Sequence, residues 1–274
     1  MTPDCTISVL HDVLRVYDHR FLDLDRAHRD RLMDGTRRFL GESGLSDDVR
    51  SALPASYRLR AFCIQRGLRD ELERLIRDEV AGSPGGAVVV GGRVYALYPY
   101  LRGVPRKDAD ITAEVGVEHR LDAAVWKDGR VRVTGHAAVE RVETHRTSVD
   151  LLVREHAAGA DAGAEGTVRT EHRIAAGSRR DGRDGFEAFV DPSVLGHGHW
   201  DVHVAATAHG VTRRARFGLV RDPDLKLDET FRNVPGQDSE AGLYLTKGGH
   251  LALLVRTPRK PAPLRTKLIR RFTR

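Results

Sequence analysis

The chain has 274 residues, 40% hydrophobic and 31% charged, with a formal net charge of +6. That is enough for one large or two modest domains, each with its own core. Its two cysteines, Cys5 and Cys63, are too few and too far apart for a disulfide framework or a zinc knuckle. No run approaches the roughly 18 apolar residues of a spanning helix. A secreted disulfide scaffold and a helical membrane protein are thus disfavoured, and a reducing cytoplasmic compartment is expected.

In chain order, the first signal is helical. Leu10, Val13, Leu14, Tyr17, Phe21 and Leu24 recur at three- and four-residue steps, and Leu32, Met33, Phe39 and Leu40 continue after a charged stretch. The spacing predicts amphipathic helix from Ile7 to Leu40, one long helix or two in series. The first residues, with Asp4, His11 and Asp12, do not form a charged-then-apolar leader. Leu53-Pro54 signals a new start, Gly67 a C-terminal cap, and Leu68, Leu72, Leu75, Ile76 and Val80 a further helix.

Gly82 to Gly86 breaks the helical pattern. Ala87 to Val90, Gly91-Gly92 and Val94 to Tyr98 then read as a β-hairpin. Beyond Pro105 the chain becomes strand-like, at 111–117, 121–126, 130–136, 148–154, 167–174 and 186–190. Leu243–Tyr244 with Leu251–Val255 adds a late pair, and the polar stretches 157–166 and 177–185 read as mobile loops.

The clearest strand signal lies between Phe186 and Leu219. Trp200, Val202, Val204, Ala206 and Ala208 alternate with Asp201, His203, Thr207 and His209, so one face is apolar and the other wet. His209-Gly210 reads as a tight turn. The return strand sends Val211, Ala215, Phe217 and Leu219 inward, with Arg213 as the exception. Trp126 and Trp200 are expected in the core. The expected fold is α+β: a helical segment with a β-hairpin over residues 1–104, then an antiparallel immunoglobulin-like β-sandwich over 105–257. A basic amphipathic tail follows over 258–274.

The sequence offers little catalytic chemistry. Asp108-Ala-Asp110 has the Asp-x-Asp spacing that can hold a divalent cation, but it stands at a strand entry without a nucleotide-binding pattern around it. His197, His199 and His203 lie close in sequence, yet turn and surface histidines explain them better than a zinc site. Gly82–Gly86 and Gly91–Gly92 precede no helix and no Gly-Lys-Ser, so neither is a phosphate loop. Gly135 and Ser148 lie outside any nucleophile elbow. No catalytic residue, metal ligand or cofactor is assigned.

Two basic features remain. Arg213, Arg214 and Arg216, with His203 beside them, form a candidate polymer-binding patch on the sheet. After Glu240 there is no acidic residue, while Arg256, Arg259, Lys260, Arg265, Lys267, Arg270, Arg271 and Arg274 accumulate. In the tail, Leu264, Leu268, Ile269 and Phe272 share a helical face flanked by Arg270 and Arg271, a pattern suited to an anionic membrane surface. A solvated basic tail is the competing reading.

The stretches LPASYRLRAFCIQRGLRDELERLI, VVVGGRVYALYPYLRG, AAVWKDGRVRVTGHAAVE, WDVHVAATAHGVTRRARFGL and GLYLTKGGHLALLVR resemble the C-terminal region of actinobacterial family 2 glycosyltransferases. These are similar to the poly(ribitol phosphate) glycosyltransferases that decorate wall teichoic acid, and the resemblance runs from about His11 to Arg256. It implies a helical linker and an immunoglobulin-like module, which in such enzymes follow a catalytic domain with a metal-binding Asp-x-Asp and a general base. That domain has no counterpart here, so the chain is expected to be a split or truncated form, or one whose start is placed late.

The implied role is a non-catalytic accessory module. Its partners are a catalytic domain in cis or in trans, an anionic envelope polymer or the inner membrane face, and further copies of itself. A stand-alone transferase and a polyanion- or nucleic-acid-binding protein are the alternatives. The second lacks interleaved exposed aromatics for base stacking, so no nucleic-acid partner is expected.

Overall fold

Two aspartates within the first helical run act as caps. Asp18 accepts a hydrogen bond from the Arg20 amide (2.8 Å) and Asp25 from the His28 amide (2.9 Å). Each carboxylate satisfies an amide that a first helical turn leaves unpaired. The run therefore forms three helices, α1 (Pro3–Arg15), α2 (His19–Asp23) and α3 (Arg26–Leu40), and not one or two. The structure, a computed structural model, describes residues 3–42, 44–82, 85–144, 147–156, 170–179 and 184–258.

Ser46 caps α4 (Asp47–Ala52), which the periodicity did not predict. Leu53-Pro54 then opens α5 (Ala55–Arg66), Gly67 closes it, and α6 (Arg69–Val80) follows. Helix α5 is the axis of this part. Leu59, Ala61, Phe62, Cys63 and Ile64 are all buried, and so are Arg58 and Arg60. Leu10, Leu14, Tyr17, Phe21, Met33, Leu72 and Ile76 pack around it. Phe39, expected on the apolar face, is instead 51% exposed.

Strands β1 (Ala87–Val90) and β2 (Arg93–Ala96) form the expected hairpin about Gly91-Gly92. The Ile111 amide bonds to the Val94 carbonyl (2.9 Å), which seats the following segment against β2. That segment contains a short helix, α7 (Arg106–Ala109). The strand expected at Ile111–Val117 is a tight turn. Asp110 accepts from the Thr112 amide, Glu114 bonds back to the Ile111 carbonyl (2.8 Å), and Ile111 is buried.

The remaining strands are β3 (Val117–Lys127), β4 (Arg130–Val139), β5 (Ser148–Glu155), β6 (Glu171–Ala175), β7 (Gly177–Ser178), β8 (Gly185–Val190), β9 (Gly198–Ala208), β10 (Val211–Arg216), β11 (Arg221–Leu227), β12 (Arg232–Asn233), β13 (Glu240–Leu245) and β14 (Leu251–Arg256). One sheet runs β12-β13-β14-β9-β5-β6, with β10 also on β9, and the other runs β11-β3-β4-β8-β7. They pack face to face as a sandwich. Leu121, Val131, Val133 and Phe186 of one sheet share a core with Leu151, Val153, Trp200, Val202, Val204 and Leu253 of the other.

The β9–β10 hairpin follows the alternation in the sequence, with a two-residue turn at His209-Gly210 where both φ angles are positive (49° and 81°). Strand β10 ends where Phe217 takes the Val202 carbonyl, and β14 then continues along β9 from the Leu251 amide. This handover turns the chain outward, so Leu219, expected inside, is 57% exposed. One pair departs from the antiparallel pattern: β11 lies parallel to β3. The predicted loop at 157–166 lies outside the described residues. Of the loop at 177–185, Gly177–Ser178 form β7 and Gly185 begins β8.

Candidate functional site

The segment 105–116 is held from both sides by arginine. From α5, the buried Arg58 donates to the carbonyls of Arg50 (3.1 Å), Asp108 (3.3 Å) and Asp110, and to Glu114 Oε1 (3.2 Å). From β10, Arg213 donates to the carbonyls of Val115 (3.1 Å) and Thr112. A guanidinium offers five donors in a fixed fork, which suits it to gathering carbonyls of an irregular loop. Arg213, the exception in its strand pattern, is explained by this contact.

Beside this clamp, α4, the α4–α5 corner, β2 and the 110–114 turn enclose a groove of about 800 Å³. Ala52, Pro54 and Ala113 give it apolar surface, while Arg50, Arg93 and Lys107 bring cations to it. Arg50 is fixed by Asp108 (Nε to Oδ1, 2.6 Å) and Asp47 (2.8 Å). Lys107 binds both oxygens of Asp47 (3.0 Å each), a contact that holds the Asp47 carboxyl below its ordinary range. Arg93 binds Asp110 Oδ2 (2.8 Å), and Asp110 Oδ1 is taken by the Thr112 amide (2.9 Å) and hydroxyl (2.5 Å).

The groove's carboxylates and cations pair with one another. Asp47 and Asp110 have both oxygens occupied, and Glu114 Oε1 accepts from the Ala55 amide (2.8 Å) as well as from Arg58. Among the described residues, by contrast, Arg93 bonds only through Nη1 and Arg50 only through Nε and Nη1. Asp108 and Glu114 likewise bond through one carboxylate oxygen each, Oδ1 and Oε1, so open donors and open acceptors both face the groove.

Asp108 and Asp110 do not act as a pair. The Asp108 carboxylate meets Arg50 of α4, while Asp110 meets Arg93 of the hairpin and Thr112. His197 is exposed, His199 bonds the Tyr244 hydroxyl (2.8 Å), and His203 stands beside Arg216 across the β9–β10 pair. Among the described residues, no group of three or more His, Cys, Asp or Glu is placed to hold a metal ion.

The candidate polymer patch is only partly assembled. Arg216 is paired with Asp201 (2.7 Å), which also meets His156 (3.0 Å). Burial, reinforced by the charges of Arg154 and Arg216, pushes the His203 imidazole down to about 4, so it is neutral at pH 7. Arg213 faces the 112–115 turn. Arg214 alone of the four is exposed and unpaired among the described residues. Leu264, Leu268, Ile269, Arg270, Arg271 and Phe272 lie outside the described residues.

The groove cations escaped the sequence reading because Arg50, Arg93 and Lys107 come from three separate segments with no shared spacing. Their only local signal is charge.

No protein-family profile matches this sequence, and no curated protein does. Among solved structures, the crystal structure of S. aureus TarS 217–571 matches at a TM-score of 0.52 and 12% identity, over 93% of this chain and 77% of that one. The chain shares its fold with TarS 217–571. A crystal structure titled S. aureus TarS also matches, at a TM-score of 0.46 and 11% identity, over 94% of this chain and 49% of that one. Among the described residues, no helix is long and apolar enough to cross a membrane.

Proposed function

We propose that this chain is a non-catalytic accessory module of a glycosyltransferase that acts on an anionic, teichoic-acid-like polymer of the cell envelope. The observation that carries the reading is the fold likeness to TarS, a wall teichoic acid glycosyltransferase, along nearly the whole chain. The sequence resemblance noted above supports it independently. In this reading the sandwich is an immunoglobulin-like module and the helices are the linker. The partner is a catalytic domain in cis or in trans, on the inner face of the membrane.

The disposition of Asp108 and Asp110 favours this over a stand-alone transferase. Both carboxylates are committed to arginine, and they point to different elements. Sugar-nucleotide turnover by the purified chain tests the choice. The expected result is no sugar release with or without added Mn²⁺. Turnover that disappears in the double variant Asp108→Asn/Asp110→Asn establishes the stand-alone enzyme instead.

A further inference from the structure

We propose that the outer face of the β1–β2 hairpin docks this chain on an anionic lipid bilayer surface. This gives the accessory-module reading a membrane contact, yet it rests on the hairpin alone. Strand β1 reads Ala-Val-Val-Val, an apolar run without alternation, which is what a strand covered on both faces carries. Only one face is covered by this chain. Val89, with Ala87, Val94 and Ala96, packs on the sandwich core, while Val88 and Val90 are 42% and 45% exposed and Leu97 is 51% exposed. Val88 lies opposite Tyr95 in the register, so Val88, Val90, Tyr95 and Leu97 share the outer face, which opens on a cleft against Leu101 and Val104.

Charge decides what covers this face. Residues 85–107 hold four cations, Arg93, Arg102, Arg106 and Lys107, and no acidic residue. Arg106 lines the same cleft as Val88, Val90 and Leu97. Arg93 and Lys107 pair with Asp110 and Asp47, which lie outside the stretch. Arg102 and Arg106 are exposed, and among the described residues no carboxylate pairs with either. A second copy docked about a two-fold axis would set these cations against themselves. An apolar face beside free guanidinium groups matches a bilayer interface instead. There aliphatic side chains enter the headgroup boundary, a tyrosine ring sits at its level and arginine stays with the lipid phosphates.

Co-sedimentation of the full chain with vesicles of phosphatidylcholine alone, and of phosphatidylcholine with about one-third phosphatidylglycerol, tests this. The variant Val88→Thr/Val90→Thr/Leu97→Gln removes the apolar face and keeps β-branched residues in β1. The variant Arg102→Ala/Arg106→Ala removes the free cations at exposed tips, and Arg214→Ala serves as the sheet-face control. The expected result is binding to the anionic vesicles only, weakened about tenfold or more by either hairpin variant, unchanged in Arg214→Ala and reduced by added salt. Binding that survives either hairpin variant places the contact elsewhere, the tail included, and overturns the assignment. Equal binding to both kinds of vesicle overturns the role of charge and the proposal with it. No binding to either, the result for a face that meets an acidic protein, overturns it as well. Each of these failures leaves the accessory-module reading intact, because sugar-nucleotide turnover tests that reading separately.

Discussion

Arg58 shows how one side chain organises a junction. It is 8% exposed at its side chain and spends its donors on three carbonyls and Glu114. In Arg58→Ala those carbonyls lose their partner away from water, at a cost of about 2–4 kcal/mol. Urea unfolding should show a lower midpoint with little change in slope. His203 gives a pH signature of known sign. Its folded pKa, about 4, lies below the ordinary value near 6.5. Between those values the unfolded chain takes up a proton that the folded chain refuses. Stability therefore falls as pH drops from about 6.5 to about 4, by at most about 1.4 kcal/mol per pH unit for this group. His119 and His250 are shifted in the same direction, so the measure is the difference between wild type and His203→Gln. A variant whose stability curve keeps the full slope would contradict this assignment. Little of this was legible at the residue scale, because a strand position marks Arg213 only as an anomaly. Its reason lies in carbonyls about a hundred positions away, at Val115 and Thr112.

Elements with local signals were legible. The β9–β10 hairpin follows from alternation and a two-residue turn, and α5 follows from Leu53-Pro54 and Gly67. Elements whose reason is non-local were not. Strand β11 carries Pro223 and alternating charges, and it is held by a parallel, irregular pairing to β3 that leaves no mark in its own sequence. The inner pairing of β3 and β4 offers a sharper test. Asp122 is an extra residue in β3, where the register skips from Leu121–Gly135 to Ala123–Thr134. The bend brings backbone and ring close to Gly135. A Cβ there would stand 2.3 Å from the Arg120 carbonyl oxygen and 2.8 Å from the Phe217 ring. Gly135→Ala should destabilise the fold by roughly 2–4 kcal/mol, read as a drop in melting temperature. An unchanged melting temperature would mean that the bulge relaxes freely.

At the scale of the molecule, the main apolar core of the helices, which includes Phe62 and Ile64, is distinct from that of the sandwich, which includes Trp200 and Val204 and reaches Ala55 of α5 and Val94 of β2. The segment 105–116, gripped by Arg58 and Arg213, joins them. Because Trp126 and Trp200 are both in the sandwich, tryptophan fluorescence reports the sheets while ellipticity at 222 nm weights the helices. The two melting curves should coincide in wild type and separate in Arg58→Ala/Arg213→Ala, the helical signal moving first. Coincident curves in the double variant would mean that the clamp does not couple the cores.

The α+β plan was visible in the sequence as a change from helical to strand periodicity near Pro105. The groove was not, since it is assembled only when α4, β2 and α7 meet.

On the proposed function, this chain serves a transferase without being one. Transfer of sugar from a nucleotide sugar to poly(ribitol phosphate) measures it most directly, using the catalytic domain of a family 2 glycosyltransferase from the same organism with and without this chain. The expected outcome is no transfer by the chain alone and faster transfer, or longer modified stretches, when both are present. Transfer by the chain alone, or a catalytic domain indifferent to its presence, would contradict it.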